Sequence, residues 1–180
     1  MNHATLQQLS PQPGENILEI GFGGGYLLRQ LLQSHPHSLV SGLDVSADMV
    51  ELASKRLRPY LINGSLHLKQ GCIEQLPYRN ANFDKICTVN TLYFWSDPAK
   101  ALAECHRTLR KNGILVLCFN DKTELAKWPG HRFGFQLYDK VEIGLLLEKH
   151  GFKTIKIESF HDPKQGKFHC LSARREKVFN

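Results

Sequence analysis

Residues Ile17–Leu28 read ILEIGFGGGYLL: an apolar run, then four glycines within five residues, then leucines at helical spacing. The apolar run, Asn16–Ile20, reads as a short strand. Leu27, Leu28, Leu31 and Leu32 fall on one face of a helix over Tyr26–Gln33. Gly21, Gly23, Gly24 and Gly25 therefore turn a strand into a helix. Glycine permits positive φ, and its missing Cβ lets a ligand touch the main chain. The helix that follows offers free N–H groups, which favour negative charge. A phosphate or a carboxylate suits such a bend, and so does a purely structural turn.

Spacing narrows the choice. In the dinucleotide fingerprint G-x-G-x-x-G/A, the last position is small so that helix and strand pack closely. Counted from Gly21, that position is Tyr26, which speaks against a nicotinamide oxidoreductase. The Walker pattern G-x-x-x-x-G-K-[ST] is absent. The pattern that fits is E-x-G-x-G-x-G, from Glu19 to Gly25.

Outward from this bend the chain alternates strands and helices. Ser38–Leu43 is a second strand, ending at Asp44. Ser46 caps a helix over Ala47–Leu57, with Met49, Val50 and Ala53 facing inward. Ser65–Gln70 and Phe83–Val89 are further strands. Asp97-Pro98 opens a helix to Arg110, and Lys111-Asn112-Gly113 stops it. Ile114–Phe119 is continuously apolar, which suits a strand buried on both faces. Asp139 caps a helix through His150, and Gly151 ends it. Phe152–Phe160 and Lys167–Arg174 are strands joined by HDPKQG, a link too short for a crossover helix, so they are antiparallel neighbours. The alternation predicts an α/β, Rossmann-like three-layer sandwich with a mostly parallel sheet and an antiparallel last strand. In such sheets ligands bind beyond the carboxyl ends of the strands, where the glycine bend lies.

Bulk properties fit this reading. The 180 residues suit one domain, 1–180, with a very short cap region, 1–15. The net charge of +6 comes from dispersed basic residues, with no basic stripe interleaved with aromatic side chains, so nucleic acid is not the expected partner. No apolar run reaches membrane-span length, and MNHATLQQLS lacks the features of a secretory signal. The five cysteines are scattered, with no C-x-x-C pair, which argues for reduced thiols and a cytoplasmic protein. The nine histidines show no metal-ligand spacing.

Five segments in order carry a resemblance. ILEIGFGGG, GLDVSADMVELA, GCIEQLPY, FDKICTVNTLYFW and RTLRKNGILVLCF resemble the successive motifs of class I S-adenosylmethionine-dependent methyltransferases of the small-molecule type. LLLEKHGFKTIKI is similar to that family's last helix and sixth strand, and the antiparallel final pair to its seventh, so the resemblance covers nearly the whole chain. It implies a seven-stranded sheet, S-adenosyl-L-methionine as cofactor and methyl transfer to a small-molecule acceptor.

The resemblance also assigns roles. Gly21, Phe22, Gly23 and Gly25 would take the cofactor's amino-acid tail. Glu19 would help hold the turn and the cofactor's ammonium, its alternative being a carboxylate that caps the loop's own N–H groups. Asp44 would accept hydrogen bonds from both ribose hydroxyls, with Val45 and Met49 along the adenine. The third motif departs from the family, which usually has an acid after the glycine. Here Cys72 stands there, a poor acceptor. Ile73 still offers its N–H and an apolar wall, and Glu74 is an alternative acceptor two positions out of register. Asn90 would meet the cofactor tail.

Tyr93 and Trp95 would border the methyl group, where an aromatic wall suits a sulfonium cation. Trp128, His131 and Tyr138, in the insertion after the fifth strand, would shape the acceptor pocket, although each also fits a structural reading. His131 and Tyr93 are the candidate bases, but methyl transfer by in-line displacement needs a base only when the nucleophile must lose a proton. Fifteen residues precede Asn16, room for one short helix at Thr5–Leu9. Three covers for the pocket remain open: none, the 121–138 segment, or the second subunit of a homodimer. The short start also fits a truncated gene product. Two competing functions stand beside methyl transfer to a small molecule: a methyltransferase-like cofactor binder without catalysis, and a nucleic-acid methyltransferase.

Overall fold

A computed structural model describes residues 1–128, 136–164 and 166–176. Seven strands form one sheet: β1 (Asn16–Ile20), β2 (Leu39–Asp44), β3 (Leu66–Gln70), β4 (Phe83–Val89), β5 (Leu109–Asn120), β6 (Phe152–Asp162) and β7 (Gly166–Arg175). Their spatial order is β3-β2-β1-β4-β5-β7-β6. β1 to β5 pair in parallel, and β7 runs antiparallel to both β5 and β6. The order reverses between β1 and β4, which opens a crevice above the glycine bend.

Side chains alternate across the sheet and feed two cores. Ile17, Val40, Val116 and Cys170 pack beneath α1 (Asn2–Leu9), α2 (Tyr26–Ser34) and α3 (Ala47–Arg56). Leu18, Ile86, Leu115 and Leu171 pack beneath α5 (Pro98–Thr108) and α7 (Lys140–Lys149). The short helices α4 (Arg58–Ile62) and α6 (Lys122–Ala126) complete the described set. The caps lie where the sequence put them. Ser46 accepts from Met49 N at 3.3 Å, Asp97 from Lys100 N at 3.0 Å, and Asp139 forms a capping box with Glu142.

Three boundaries differ from expectation. The helix expected to run to Arg110 stops at Thr108, and Leu109 already pairs with Phe83 in the sheet. Lys111-Asn112-Gly113 is then a bulge inside β5, because the next paired residues are Lys85 and Ile114, and Asn112 takes φ 64° there. α1 starts at Asn2 rather than Thr5, burying Ala4, Thr5 and Leu9 against β4, β5 and β7. Lys85 Nζ holds its carboxyl end by donating to Leu9 O at 2.8 Å and Ser10 O at 3.2 Å. α4 and α6 were not expected, since five residues are too few to show an apolar period. Among the described residues no helix is long and apolar enough to cross a membrane.

Candidate active site

The three glycines of the E-x-G-x-G-x-G pattern are needed for different reasons. Gly21, at φ 71°, donates its N–H to Leu43 O at 2.7 Å, and a Cβ there would lie 2.2 Å from Thr91 Cγ2. Gly25, at φ 77°, is the left-handed cap of α2, and a Cβ would press on Leu57 and Ala53 at 3.0 and 3.3 Å. Gly23, at φ 50°, has nothing within 4 Å of a Cβ, so its side faces open space. Its N–H donates to Asp44 Oδ2 at 2.8 Å, while Ser46 N donates to Oδ1 at 3.0 Å. Asp44 is only 7 % exposed, and these two bonds fix both of its oxygens at the end of β2.

A cavity of about 380 Å³ lies over these strand ends, a size suited to a small cofactor. Gly21, Gly23 and Asp44 form one side, and Leu43, Ile73 and Val89 supply apolar wall. At the far end a 3₁₀ turn, Ile73–Gln75, swings Glu74 into the lining beside Cys72. Glu74 Oε1 accepts from Ser96 N at 2.9 Å and Ser96 Oγ at 3.0 Å, and Oε2 accepts from the Cys72 thiol. Burial pushes the Glu74 carboxyl up, but hydrogen bonds from Cys72 and Ser96 outweigh it and hold the group below the ordinary carboxylate range. Burial and the bond to Glu74 push the Cys72 thiol up.

The remaining wall comes from the segment after β4. Asn90, at φ 58°, donates its N–H to Cys118 O at 2.9 Å. Thr91 accepts from Trp95 Nε1 at 3.2 Å and hydrogen-bonds Thr88. Asn90 and Phe94 also line a second cavity, of about 560 Å³. Its other walls include Tyr93, Asn120, Trp128, Lys127 and Lys164. Asn120 Oδ1 is buried with no hydrogen-bond partner among the described residues.

The first cavity brings together Gly21, Gly23, Asp44, Val45, Cys72, Ile73, Asn90 and Trp95. Phe22, Gly25, Met49 and Glu19 do not line it. Phe22 and Met49 pack in the core beneath α2 and α3. Glu19 points to that same face because it alternates with Leu18 and Ile20 on β1. It is 3 % exposed, and its Oε2 has no partner among the described residues. Burial raises its pKa to about 8, against the lowering effect of a main-chain hydrogen bond at Leu28. That places the carboxyl against Leu28 in the first turn of α2, with the Asp44 charge near enough to raise its pKa further.

Tyr93 and Trp128 line the second cavity. Tyr138 lines neither; it packs against the core beneath α5 and α7 and donates its hydroxyl to Gln136. His131 lies outside the described residues. The Tyr93 hydroxyl donates to Asn90 Oδ1 at 3.1 Å and accepts from Asn120 N, and burial holds it far above the usual phenol range. A phenol so held stays protonated at neutral pH, which suits positioning rather than proton abstraction. Sequence reading left out Asn120, Lys127 and Lys164 and did not commit to Glu74. Glu74 had a signal in the glycine three residues before it; the others carry no local pattern. Among the described residues no cluster of His, Cys, Asp or Glu could hold a metal ion.

Comparison with known proteins gives consistent matches. Residues 18–117 match the model of a family described as a methyltransferase domain. An uncharacterised methyltransferase of Bacillus subtilis (strain 168), YdaC, is 35 % identical over 97 % of this chain and 91 % of its own length. A demethylmenaquinone methyltransferase of Thermotoga maritima is 32 % identical over 68 % of this chain, which spans 51 % of that protein. Among solved structures, a Haloferax volcanii methyltransferase in complex with the Trm112 methyltransferase activator superimposes with a TM-score of 0.85 at 18 % identity, covering 97 % of this chain and 88 % of that one. Phosphoethanolamine N-methyltransferase 2 of Haemonchus contortus, in complex with S-adenosyl-L-methionine, gives 0.84 at 15 % identity, covering 98 % of this chain and 52 % of that one.

Proposed function

This chain belongs to the methyltransferase domain family, as a class I S-adenosylmethionine-dependent methyltransferase, and we propose that it methylates a small molecule held in the second cavity. The observation that carries this reading is the shared wall. Two cavities meet at Asn90 and Phe94, one built on the glycine bend and Asp44, the other open to an acceptor.

The residues of the first cavity fit S-adenosylmethionine. Asp44 keeps lone pairs beyond its two main-chain bonds and is aimed by them, which suits a pair of ribose hydroxyls. Gly23 leaves open space where any other residue would put a side chain, which suits close approach of an amino-acid tail. Ile73 and Leu43 give apolar wall suited to a flat ring, and Glu74 supplies the acceptor that Cys72 lacks. When bound, the sulfonium supplies both the methyl group and its own leaving group.

The protein's part is then alignment and exclusion of water. Phe94 and Trp95 flank the methyl side. Asn120 Oδ1, buried and without a described partner, suits an attacking hydroxyl or amine that brings a hydrogen to donate. Trp128 gives the second cavity an aromatic wall, and Lys164 edges it with positive charge beside the Lys127–Glu124 ion pair at 2.9 Å.

Calorimetric titration with S-adenosylmethionine, its demethylated product, NADH and ATP tests the cofactor assignment. Binding of the first two alone is expected. Preferential binding of NADH or ATP contradicts the reading. Methyl uptake from labelled donor across a panel of metabolites then identifies the acceptor; uptake into nucleic acid instead would contradict the small-molecule assignment.

A further inference from the structure

Two of the five cysteines face each other. Cys118 on β5 and Cys170 on β7 are directly paired in register across an antiparallel ladder. Such partners have Cα atoms about 4.5–5.5 Å apart and side chains on the same face, inside the span of about 4.4–6.8 Å that a disulfide bridges. The remaining cysteines lack this arrangement: Cys87 pairs with Val116, Cys105 lies in α5 beneath the opposite face, and Cys72 is beside Glu74.

The pair is buried, 2 % and 0 % exposed, beneath the first turns of α1. Thr5 Oγ1 lies 4.0 Å from Cys170 Sγ, and Cys118 Sγ donates to Met1 O at 4.0 Å. The carboxyl end of α1 is anchored by Lys85, but its amino end has no side-chain cap and no acidic residue in its first turn. Met1 still touches Asn90 and Cys118 there, but an eight-residue helix without a side-chain cap opens locally more readily than the strands beneath it. Opening that end breaks the Met1 and Thr5 contacts and uncovers both sulfurs together.

We propose that Cys118 and Cys170 are a site of oxidative modification, closing an intramolecular disulfide across β5 and β7 when hydrogen peroxide reaches them beneath the opened amino end of α1. With Cys118 as the attacking sulfur, Cys170 is the resolving one, and the reverse assignment closes the same bond. The Cys118 thiolate attacks one peroxide oxygen; the O–O bond breaks, and the departing hydroxide takes a proton to become water. The Cys170 sulfur then displaces hydroxide from the Cys118 sulfenic acid, forming the S–S bond and releasing a second water. Two electrons from the two sulfurs reduce one peroxide. The bond would sit directly behind Asn90, which hydrogen-bonds Cys118 O at 2.9 Å and reaches Met1 Sδ at 3.2 Å.

The test treats the reduced full chain with hydrogen peroxide, alkylates the remaining thiols and maps peptides without reduction. A peptide linking Cys118 to Cys170 is expected, with two thiols lost per monomer. Cys118→Ser and Cys170→Ser each abolish the link, and Cys87→Ser leaves it. Ala4→Gly, which weakens α1, speeds closure about fivefold, the population change expected for one such substitution in a helix. Alkylation of both Cys118 and Cys170 after treatment, links to other cysteines or between chains, or an Ala4→Gly rate equal to that of the wild type overturns the proposal. Should a serine variant fail to fold, the wild-type peptide map decides alone.

Discussion

The two cavities that share Asn90 and Phe94 are made of different material. The glycine end of the first is shaped by main chain: glycines at positive φ, strand ends, and a carboxylate fixed by two backbone N–H groups. The second is built from side chains on α6, on the segment after β4 and near the β6–β7 turn. A main-chain surface depends on residues that only a few types can replace. A side-chain surface can change its chemistry without disturbing the sheet. The difference explains how a donor site stays legible in a sequence whose acceptor site is not.

Substitution should divide along the same line. The largest effect is expected at Gly21→Ala. Its φ of 71° and the 2.2 Å approach to Thr91 add a strained backbone to an overpacked contact, about 2–4 kcal/mol together. Thermal unfolding should fall by roughly 5–15 °C. Gly23→Ala sharpens the point: with open space at its Cβ it should cost only about 1 kcal/mol of stability, yet weaken donor binding as calorimetry reads it. A Gly23→Ala protein that binds the donor normally would remove Gly23 from the site.

Asp44→Ala should weaken donor binding at least about tenfold, or ~1.4 kcal/mol. Unchanged affinity by calorimetry would break the claim that this carboxylate grips the ribose. Glu19 gives a pH signature on the hidden side of the same half. Its carboxyl is protonated in the fold to about pH 8 but titrates near 4.5 when unfolded. The folded state thus holds the extra proton between those values, so the Glu19 contribution to stability is fully present below pH 4.5 and is lost as pH rises toward 8. Glu19→Gln should remove that decline and raise the melting temperature above pH 7, read by thermal melts across the range. The smallest effect belongs to the second cavity. Lys164→Ala should leave donor affinity within about twofold while raising the acceptor KM by roughly threefold, as for a single exposed charge. A matching loss of donor affinity would erase the distinction between the cavities.

The strands, their antiparallel last pair and the three caps at Ser46, Asp97 and Asp139 were legible because each has a local cause: an apolar run, a short connection, or a side chain that accepts from its own helix. The bend was legible because positive φ at Gly21 and Gly25 excludes most residues. Glu19 was read with its two alternatives, and its orientation was hidden because it depends on which face of β1 it occupies. The bulge at Lys111-Asn112-Gly113 was read as a stop, since a turn signal inside a strand looks like one between elements. Asn120 and Lys164 belong to the second cavity only because β5 and the β6–β7 turn meet in space, and no spacing along the chain encodes that meeting.

The central claim is that the glycine bend and Asp44 hold the methyl donor. Its most direct test is a crystal structure with the demethylated product of S-adenosylmethionine. The account predicts density in the first cavity, with the ribose hydroxyls on the Asp44 carboxylate, the amino-acid tail against Gly23, and the sulfur facing Asn90 and Phe94. Density elsewhere, or a product whose sugar lies away from Asp44, would contradict it.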